Sequence, residues 1–316
     1  MIVTETDLIP MRVVARRTLA RHVDEFTLRA LGDVALPGYG PGAHVTVRTP
    51  SGAMRRYSLV GGPDRDSYTI AVKREAASRG GSRSMHEDAV VGTELMVAPP
   101  ENDFELVPAP AYLLIAGGIG ITPIHAMARH LLVSGADFRV IYLSRSTEEA
   151  AYLDEMRDAL CDRLIVHHDD GDPERIYDFW DEFEKPKPTH VYCCGPRPLM
   201  EEIDAISGHW PEGRIHFEDF KPVEIVRADD QPFEVELVRS GKTVLVPADR
   251  SILEAVRDAG VRTSSSCESG TCGSCKTRLI SGDVDHRDMV LREYEKADTI
   301  MICVSRAREG ALVLDL

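Results

Sequence analysis

The sequence lacks an apolar run long enough to cross a membrane, and it lacks an excess of basic residues. Its 316 residues include 52 Asp and Glu against 37 Lys and Arg, for a net charge of −15. No eighteen consecutive residues are apolar, and the first segment, MIVTETDLIPMRVVARR, has no apolar core of the signal-peptide type. We therefore expect a cytoplasmic protein without a membrane partner.

Basic residues are scarcest in the middle of the chain. Residues 101–222 carry 11 Lys and Arg against 24 Asp and Glu, whereas residues 1–100 carry 13 against 11. A protein that binds nucleic acid needs a basic face for the phosphates, so this distribution argues against a nucleic-acid partner. The first third of the chain is basic enough to bind a small phosphorylated ligand.

Cysteine is uncommon and unevenly placed. Three of the seven cysteines lie in SSSCESGTCGSC, residues 264–275. An odd, clustered set argues against a secreted disulfide framework. The spacing C-x4-C-x2-C of Cys267, Cys272 and Cys275, with Cys303 further on, is typical of plant-type [2Fe–2S] sites. Zinc sites usually use two C-x2-C pairs or histidines, so zinc fits poorly, although zinc and fortuitous clustering remain the alternatives.

Three segments differ in the period of their apolar residues. Residues 10–100 form short alternating runs separated by Gly, Pro and Asp, which predicts a small antiparallel barrel or sandwich. From residue 111, continuous apolar strands alternate with helical stretches, which predicts a doubly wound parallel sheet. The last ninety residues begin with a predicted hairpin, FEVELVRSGKTVLVPA. A helix follows, with Ser251 as N-cap, Glu254 completing a capping box and Gly260 as C-cap.

Two glycine-containing turns follow predicted strands of the middle segment. AGGIGITP, residues 116–123, follows a buried strand and opens a helix, where backbone N–H groups can approach a phosphate. It departs from G-x-G-x-x-G, and a tight turn with no ligand is the alternative. CCGP, residues 193–196, ends another strand, at the edge of an open sheet where ligands bind.

The chain resembles the class IA oxygenase reductases in five motifs and in their order. These motifs are RRYSL, GGSRSMH, GGIGITP, CCGP and the cysteine loop. The class IA reductases are the family of phthalate dioxygenase reductase and vanillate demethylase reductase, within the ferredoxin–NADP reductase superfamily. The resemblance implies an N-terminal antiparallel β-barrel for flavin, a central doubly wound sheet for NAD(P)H, and a C-terminal β-grasp ferredoxin. We place these domains at residues 1–102, 103–224 and 230–316.

The resemblance also implies a flavin site in the first domain. The flavin is expected to be FMN, because no additional loop is evident that would hold the adenine of FAD. Arg55 suits a phosphate and Tyr57 suits the ribityl chain or ring, whereas an edge strand with solvated arginines is the alternative. The implied flavin-binding residues are Arg55, Arg56, Tyr57, Ser58, Leu59, Val72, Lys73, Gly80, Gly81 and Ser82. Ser58 is counted among the catalytic residues, because it would meet the reacting part of the flavin.

The coenzyme site implied by the resemblance lies in the second domain. Its predicted pyrophosphate and nicotinamide residues are Gly117, Gly118, Gly120, Thr122 and Pro123, and its adenosine residues are Ser144 and Arg145. NADH is the expected donor, and NADPH is the alternative because Arg145 could also meet a 2′-phosphate. Asp169 or Asp170 either lies near the ribose or belongs to a solvated acidic turn.

Eight further residues of the coenzyme domain receive predictions. Cys194 is expected beside the nicotinamide, next to the hydride path, and Phe220 (or Phe217) is expected to cover the flavin until the nicotinamide displaces it. Both are counted as catalytic. Cys161 and Cys193 are predicted to be buried core residues. His167, His168 and His216 are predicted to be ordinary polar residues, because no spacing pairs them as metal ligands.

The implied activity is an electron relay from NADH through FMN to the [2Fe–2S] cluster. The expected acceptor is the Rieske-type oxygenase component of an aromatic dioxygenase or O-demethylase system. This acceptor would be met transiently by a monomer around the cluster loop, near Glu268, Lys276 and Arg278. Another acceptor, such as a cytochrome or a quinone, is one alternative. A zinc-bearing scaffold without catalytic activity is the other.

Overall fold

A computed structural model describes residues 8–32, 35–61, 66–76, 80–220, 227, 229–265, 268, 270 and 273–316. The chain divides into two compact units, one ending at Glu218 and the other formed by Asp219–Leu316. The first unit holds an antiparallel sheet and a parallel sheet, and the second holds a mixed sheet. Within the described ranges, no helix is long and apolar enough to cross a membrane.

The first sheet is a closed antiparallel barrel, as the alternating apolar pattern predicts. Its strands are β1 (Ile9–Ala20), β2 (Val23–Ala30), β3 (His44–Arg48), β4 (Met54–Ser58), β5 (Ser67–Lys73) and β6 (Glu94–Val97). The order is β4-β3-β6-β1-β2-β5, and a bridge between Leu59 and Ile70 joins the two edges. Helix α1 (Gly81–Asp88) connects β5 to β6. Alternate strand residues such as Phe26, Val45 and Ile70 fill the interior.

The second sheet is parallel throughout, as expected from continuous apolar strands alternating with helices. Its strands are β7 (Ala111–Gly117), β8 (Phe138–Ser144), β9 (Leu164–His168), β10 (Thr189–Cys194) and β11 (Ile215–Glu218). Its helices are α2 (Ile121–Ser134), α3 (Leu153–Leu160), α4 (Trp180–Phe183) and α5 (Arg197–Ile206). The order β11-β10-β7-β8-β9 reverses direction between β7 and β10, so the carboxyl ends of these two strands form the topological switch point.

Barrel residues also contribute to the core of the parallel sheet. Val23, Val60 and Ala71 are buried in the same apolar cluster as Leu114 and Tyr142. The barrel and the parallel sheet therefore share apolar surface within the first unit, and removal of that surface from water favours their association.

The second unit has the mixed sheet expected of a ferredoxin domain. Its elements are β12 (Phe233–Leu237), β13 (Lys242–Val246), α6 (Ile252–Asp258), β14 (Lys276–Asp285), β15 (Thr299–Met301) and β16 (Arg306–Leu314). The strand order is β13-β12-β16-β14-β15, with β12 and β16 parallel. The predicted hairpin and the capping box of Ser251 and Glu254 are both confirmed. The predicted C-cap is one residue off, because Ala259 caps α6 and Gly260 follows with φ 76°.

Candidate cofactor and coenzyme sites

Two hydroxyls at the end of β4 mark the candidate flavin site. The Tyr57 Oη and Ser58 Oγ atoms are buried, and neither has a hydrogen-bond partner among the residues that the structure describes. Burial also raises the pKa of Tyr57 above its ordinary value, so the phenol stays protonated and able to donate. A buried hydroxyl without a partner is costly, and both atoms therefore fit a polar ligand such as the flavin ring and its side chain.

The start of α1 offers a place for a phosphate beside β4. The Arg55 side chain lies against Gly81, where a Cβ atom would come within 2.8 Å of the Arg55 Nε. Gly80 precedes the helix with φ 107°, and the first turn has neither an acidic residue nor a side-chain cap. A guanidinium next to a helix N-terminus favours a bound anion, so this corner fits the FMN phosphate.

A partly buried ion cluster that the sequence analysis missed anchors α1 on the barrel. The Arg16 guanidinium donates to Asp24 Oδ2 through Nε at 2.9 Å and Nη2 at 2.6 Å. The same carboxylate oxygen lies 3.3 Å from His86 Nδ1, and His86 Nε2 lies 2.9 Å from the Val72 carbonyl oxygen. Burial alone would raise the pKa of Asp24, but its hydrogen bond from Arg16 keeps that pKa below the ordinary value. The carboxylate thus remains charged and holds the helix in place.

The other predicted flavin residues differ in exposure. Leu59 and Val72 are buried, Lys73 is half-buried at the end of β5, and Arg56 is exposed on β4. The Ser82 Oγ accepts a hydrogen bond from the Glu75 backbone N–H at 3.2 Å. Their contacts with the flavin stay a prediction.

The turns after β7 and β10 touch backbone to backbone at the switch point. A Cβ atom on Gly120 would lie 2.1 Å from the Cys194 carbonyl oxygen, and one on Gly117 would lie 2.6 Å from Pro196 Cδ. Glycine is therefore required at both positions. Gly118, with φ 54°, has open space where a side chain would project. The pair of turns thus leaves backbone accessible at the edge where an open parallel sheet binds its ligand.

The remaining predicted coenzyme residues lie at or after the carboxyl ends of β7, β8 and β9. Thr122 is buried at the start of α2, and its hydroxyl donates to the Ile119 carbonyl oxygen at 3.1 Å. The Ser144 Oγ lies 2.8 Å from His168 Nδ1, whereas Arg145 is exposed. Asp170 forms an ion pair with Arg175, and Pro123 is buried at the start of α2. Their contacts with the coenzyme stay a prediction.

The cysteines of the parallel domain differ in exposure. Cys193 and Cys194 are buried in β10, and burial raises the pKa of the Cys193 thiol, which suits a core residue. The prediction that Cys161 is buried is wrong, because it lies exposed in the turn after α3 with φ 49°. Phe217 pairs with Cys193 in the strand register, and Phe220 is exposed beyond β11. Which of the two covers the flavin stays a prediction.

Two of the four predicted cluster ligands lie together in the second unit. Cys275 comes directly before β14 and Cys303 shortly after β15, and both are buried. Lys276 opposes Met301 in the antiparallel register, so the two thiols lie at the same end of this strand pair. Cys267 and Cys272 lie outside the described residues. A pair of buried thiols at one end of a ladder fits the donor set of a [2Fe–2S] cluster.

Glycine allows close contacts in the loop that carries these cysteines. Gly270, with φ 77°, accepts a hydrogen bond from the Met289 N–H at 3.0 Å, and a Cβ atom there would lie 2.9 Å from Val304 Cγ2.

Two residues expected at the partner surface already have partners inside the domain. Glu268 accepts from the Arg257 Nη1 at 2.7 Å, and Lys276 forms an ion pair with Glu295.

Comparisons with known proteins identify two domain families in the chain. Residues 114–205 match the oxidoreductase NAD-binding domain family, and residues 235–308 match the 2Fe-2S iron-sulfur cluster binding domain family. The chain is 51% identical to the phthalate 4,5-dioxygenase oxygenase reductase subunit of Pseudomonas putida, over 97% of this chain and 96% of that protein. It is 40% identical to the heme-dependent oxidative N-demethylase beta subunit of Ectopseudomonas mendocina, over 98% and 99%.

A solved structure of phthalate dioxygenase reductase, described as modular for electron transfer from pyridine nucleotides to [2Fe–2S], matches as well. It is 47% identical to the chain, with 99% of both chains covered and a TM-score of 0.73. Fold, sites and matches together define an oxidoreductase that carries electrons from NADH through FMN to a [2Fe–2S] cluster. The chain belongs to the phthalate dioxygenase reductase family of oxygenase reductases.

Proposed function

We propose that this chain supplies electrons to the oxygenase component of an aromatic dioxygenase or O-demethylase system. The observation that carries the proposal is the match to an oxygenase reductase subunit along nearly the whole of both chains. A flavin site, a coenzyme site and cluster ligands occur here in one polypeptide, which suits an electron supplier for a separate enzyme. The aromatic substrate is bound by that enzyme and not by this chain.

In the barrel, the residues around β4 would hold and orient FMN. Arg55 and the first turn of α1 would bind its phosphate, and the Tyr57 and Ser58 hydroxyls would donate to the ring system or ribityl chain. Lys73 would add positive charge near the ring. When bound, FMN converts between the electron pair of a hydride and the single electrons that an iron–sulfur cluster accepts. The protein supplies position and electrostatics for this exchange.

In the parallel domain, the residues at the switch point would orient the coenzyme. The backbone at Gly118 and Gly120 would approach the pyrophosphate, and Ser144 and Arg145 would meet the adenosine ribose. Cys194 would lie against the nicotinamide as a packing residue and not as a nucleophile, because its side chain is buried in β10. None of these steps requires an acid–base pair.

The second unit would pass electrons on to the partner. Cys267, Cys272, Cys275 and Cys303 would hold the cluster, and the loop glycines would bring backbone N–H groups close to its sulfides. We also propose that the chain acts as a cytoplasmic monomer and that its encounter with the oxygenase is brief, because electron-transfer interfaces are usually small.

The visible spectrum of the purified protein, with flavin and iron counted, tests the cofactor assignment. One FMN and two irons per chain, both bleached by anaerobic NADH, are the expected result. A Cys272→Ser variant should lose the cluster, and its flavin should still be reduced by NADH. An Arg55→Ala variant should lose FMN during purification, and full retention would place the phosphate elsewhere.

A comparison of acceptors tests the partner assignment. The reduced protein is mixed with a purified Rieske-type oxygenase, with cytochrome c and with a soluble quinone, and cluster reoxidation is timed against each acceptor. Reoxidation fastest with the oxygenase supports the proposal. Faster reoxidation by a heme protein would instead favour the cytochrome alternative, in line with the heme-dependent relative.

A further inference from the structure

We propose that a polar junction between the β1–β2 hairpin and the start of α3 positions the coenzyme domain on the barrel and thereby governs hydride delivery to the flavin. The proposal rests on the electron relay described above. Glu25 and Tyr152 act in it as positioning residues. We call this set of contacts the hairpin junction; it comprises Arg17, Arg21, Glu25, Glu148, Tyr152 and Glu155.

A partly buried carboxylate joins the two domains at the centre of the hairpin junction. The Tyr152 hydroxyl, from the parallel domain, donates to the Glu25 Oε2 on β2 at 2.7 Å. Arg17, on β1, donates to the same carboxylate through Nε at 2.6 Å and Nη2 at 3.0 Å. Arg17 Nη1 also lies 2.8 Å from the Glu155 carboxylate on α3. The Glu25 carboxylate of the barrel thus has a donor in the parallel domain, and the Glu155 carboxylate of the parallel domain has a donor in the barrel.

The backbone of the hairpin turn reaches the same part of the parallel domain. The Arg21 N–H, in the turn between β1 and β2, donates to the Glu148 carbonyl oxygen at 2.6 Å. Next to this bond, Val23 is buried in the apolar core of the parallel domain. Backbone, polar and apolar contacts therefore coincide at the turn, which makes it a fixed point between the two domains.

Tyr152 is built into an unusual position. It has φ 59°, a left-handed conformation that is uncommon for a residue with a side chain, and its ring stacks on His125 with the ring centroids 4.4 Å apart. Burial and the neighbouring Glu25 carboxylate raise the pKa of Tyr152, so its hydroxyl keeps the proton that it donates. Strained backbone persists only where surrounding contacts hold it, and here those contacts come from both domains.

The hairpin junction is also connected to the predicted adenosine site. The Glu148 side chain accepts from the Ser146 Oγ at 2.7 Å, and the Ser146 carbonyl oxygen accepts from the Ser144 Oγ at 3.2 Å. A chain of hydrogen bonds therefore runs from the barrel turn to the segment that would bind the coenzyme. Movement of the turn would shift this segment relative to the flavin site.

Hydride transfer depends strongly on such a shift. The hydride leaves the nicotinamide with its electron pair, so the coenzyme is oxidised and the flavin is reduced when the two rings are in contact. Misplacement by about 1 Å can slow a reaction by about a hundredfold, even when the changed residue is remote. The residues of the hairpin junction are not among those predicted to bind either ring, and they would act by setting the distance between the rings.

The test uses a Tyr152→Phe holoprotein, which keeps the ring stack and removes the bond to Glu25. The matched control is Tyr112→Phe, because Tyr112 is a buried tyrosine that donates to the Val107 carbonyl oxygen at 3.0 Å within the parallel domain. Three quantities are measured for both variants and for the unmodified protein. They are the rate of flavin reduction by NADH in a rapid mixing experiment, the NADH dissociation constant, and hydrogen exchange of the Arg21 amide.

We expect Tyr152→Phe to slow flavin reduction about tenfold and to speed exchange of the Arg21 amide, with the NADH dissociation constant unchanged within about twofold. The control should match the unmodified protein in all three. Equal effects of the two variants would overturn the proposal, since the loss would then be one of stability alone. An unchanged reduction rate, or weaker NADH binding as the sole effect, would overturn it too.

Failure of the relay itself would look different. If NADH does not reduce the flavin of the unmodified protein although dithionite does, the assigned donor is wrong. In that event exchange of the Arg21 amide still decides whether Tyr152 holds the hairpin junction closed.

Discussion

The molecule surrounds arginine with carboxylates in its barrel and in its ferredoxin domain, but to different depths. In the ferredoxin domain, the Arg306 side chain is 1% exposed and the nearby Asp230 side chain 7%. In the barrel, Arg17 is 53% exposed, and the carboxylate of its partner Glu25 is 13% exposed. Arg16, bound to Asp24 below α1, lies between them at 25%. The burial of each arginine therefore decides whether its contacts are fixed or can be exchanged for water.

We call Arg306 and Asp230, with the groups that bind them, the deep cluster. It satisfies nearly every donor of Arg306. Arg306 Nη2 donates to the Gln231 and Pro247 carbonyl oxygens at 3.2 and 3.0 Å, and Nη1 donates to the Arg250 carbonyl oxygen. Its guanidinium also lies 4.9 Å above the centre of the Phe233 ring. A charge that is desolvated so completely cannot lose a partner cheaply, whereas the exposed side of Arg17 can exchange its partner for water.

The largest expected effect comes from breaking the deep cluster with Arg306→Met. The change leaves Asp230 and three carbonyl oxygens with fewer donors, and we expect about 3–5 kcal/mol less unfolding free energy for the ferredoxin domain. The unfolding free energy is measured from the loss of the visible absorbance of the [2Fe–2S] cluster in guanidinium chloride. Arg239→Met, in an exposed pair with Asp315, is the control and should unfold like the unmodified protein. Coincident unfolding curves for the two variants would contradict this reading.

Acid should weaken the packing of Tyr152, in the hairpin junction, before it affects the deep cluster, because the Tyr152 ring stacks on His125. Burial, reinforced by Arg129, lowers the pKa of His125 to about 4. The unfolded chain, with a histidine pKa of about 6.5, therefore binds more protons between these values, and the unfolding free energy falls as the pH drops from about 6.5 to about 4. The loss is about 3 kcal/mol in total.

A His125→Phe variant, which keeps a ring against Tyr152, should show a flatter profile. Unfolding of the first unit, followed by flavin fluorescence at pH 7 and pH 5, measures the difference. In the deep cluster, the hydrogen bond from Arg287 holds the pKa of Asp230 below its ordinary value. The contribution of Asp230 to the unfolding free energy therefore persists from pH 7 to pH 5. Parallel profiles for the variant and the unmodified protein would show that His125 is already protonated or already solvated.

The anchor of α1 should show an intermediate effect. Asp24→Asn preserves the shape of the side chain but removes the charge that Arg16 and His86 share. We expect about 2 kcal/mol less unfolding free energy for the first unit and weaker FMN retention, measured by equilibrium dialysis. Glu94→Gln, in an exposed pair with Arg12, is the matched control. Unchanged FMN retention in Asp24→Asn would mean that α1 is held by its other contacts.

The smallest effect is expected from Glu155→Gln at the rim of the hairpin junction. Both side chains of the Arg17–Glu155 pair are about half exposed, so the pair should contribute less than about 1 kcal/mol. Thermal unfolding of the first unit measures it. A loss as large as that of Arg306→Met would show that depth does not govern the strength of these clusters.

Local patterns in the sequence predict much of the fold and of the site frame. The capping box of Ser251 and Glu254 and the turn at Gly117–Gly120 depend on neighbouring residues, and the structure contains both. The spacing of four cysteines predicted the cluster domain that the family comparison also found. In each case the residues that determine the structure lie close together in the chain or follow a family spacing.

Contacts between distant residues could not be predicted in the same way. Tyr152 and Glu25 are 127 positions apart, and nothing near Tyr152 in the sequence signals a left-handed conformation or a bond to the barrel. His216, expected to be an ordinary polar residue, stacks on Tyr192 and shares a hydrogen bond with His190 at 3.0 Å. Cys161 is exposed because α3 ends there, which depends on how the helix packs.

The deep arginine cluster also determines where the ferredoxin domain can be separated for transplantation. Arg227 donates its backbone N–H to Asp230 Oδ2 at 2.8 Å, and its side chain lies 3.2 Å from the Asp285 carboxylate. A fragment that begins at Asp230 would lack this clasp, and one that begins at Phe233 would also lack Asp230, the carboxylate beside Arg306 and Arg287. A graft onto another reductase should therefore begin at or before Arg227, so that it keeps the contacts of Arg227 with Asp230 and Asp285.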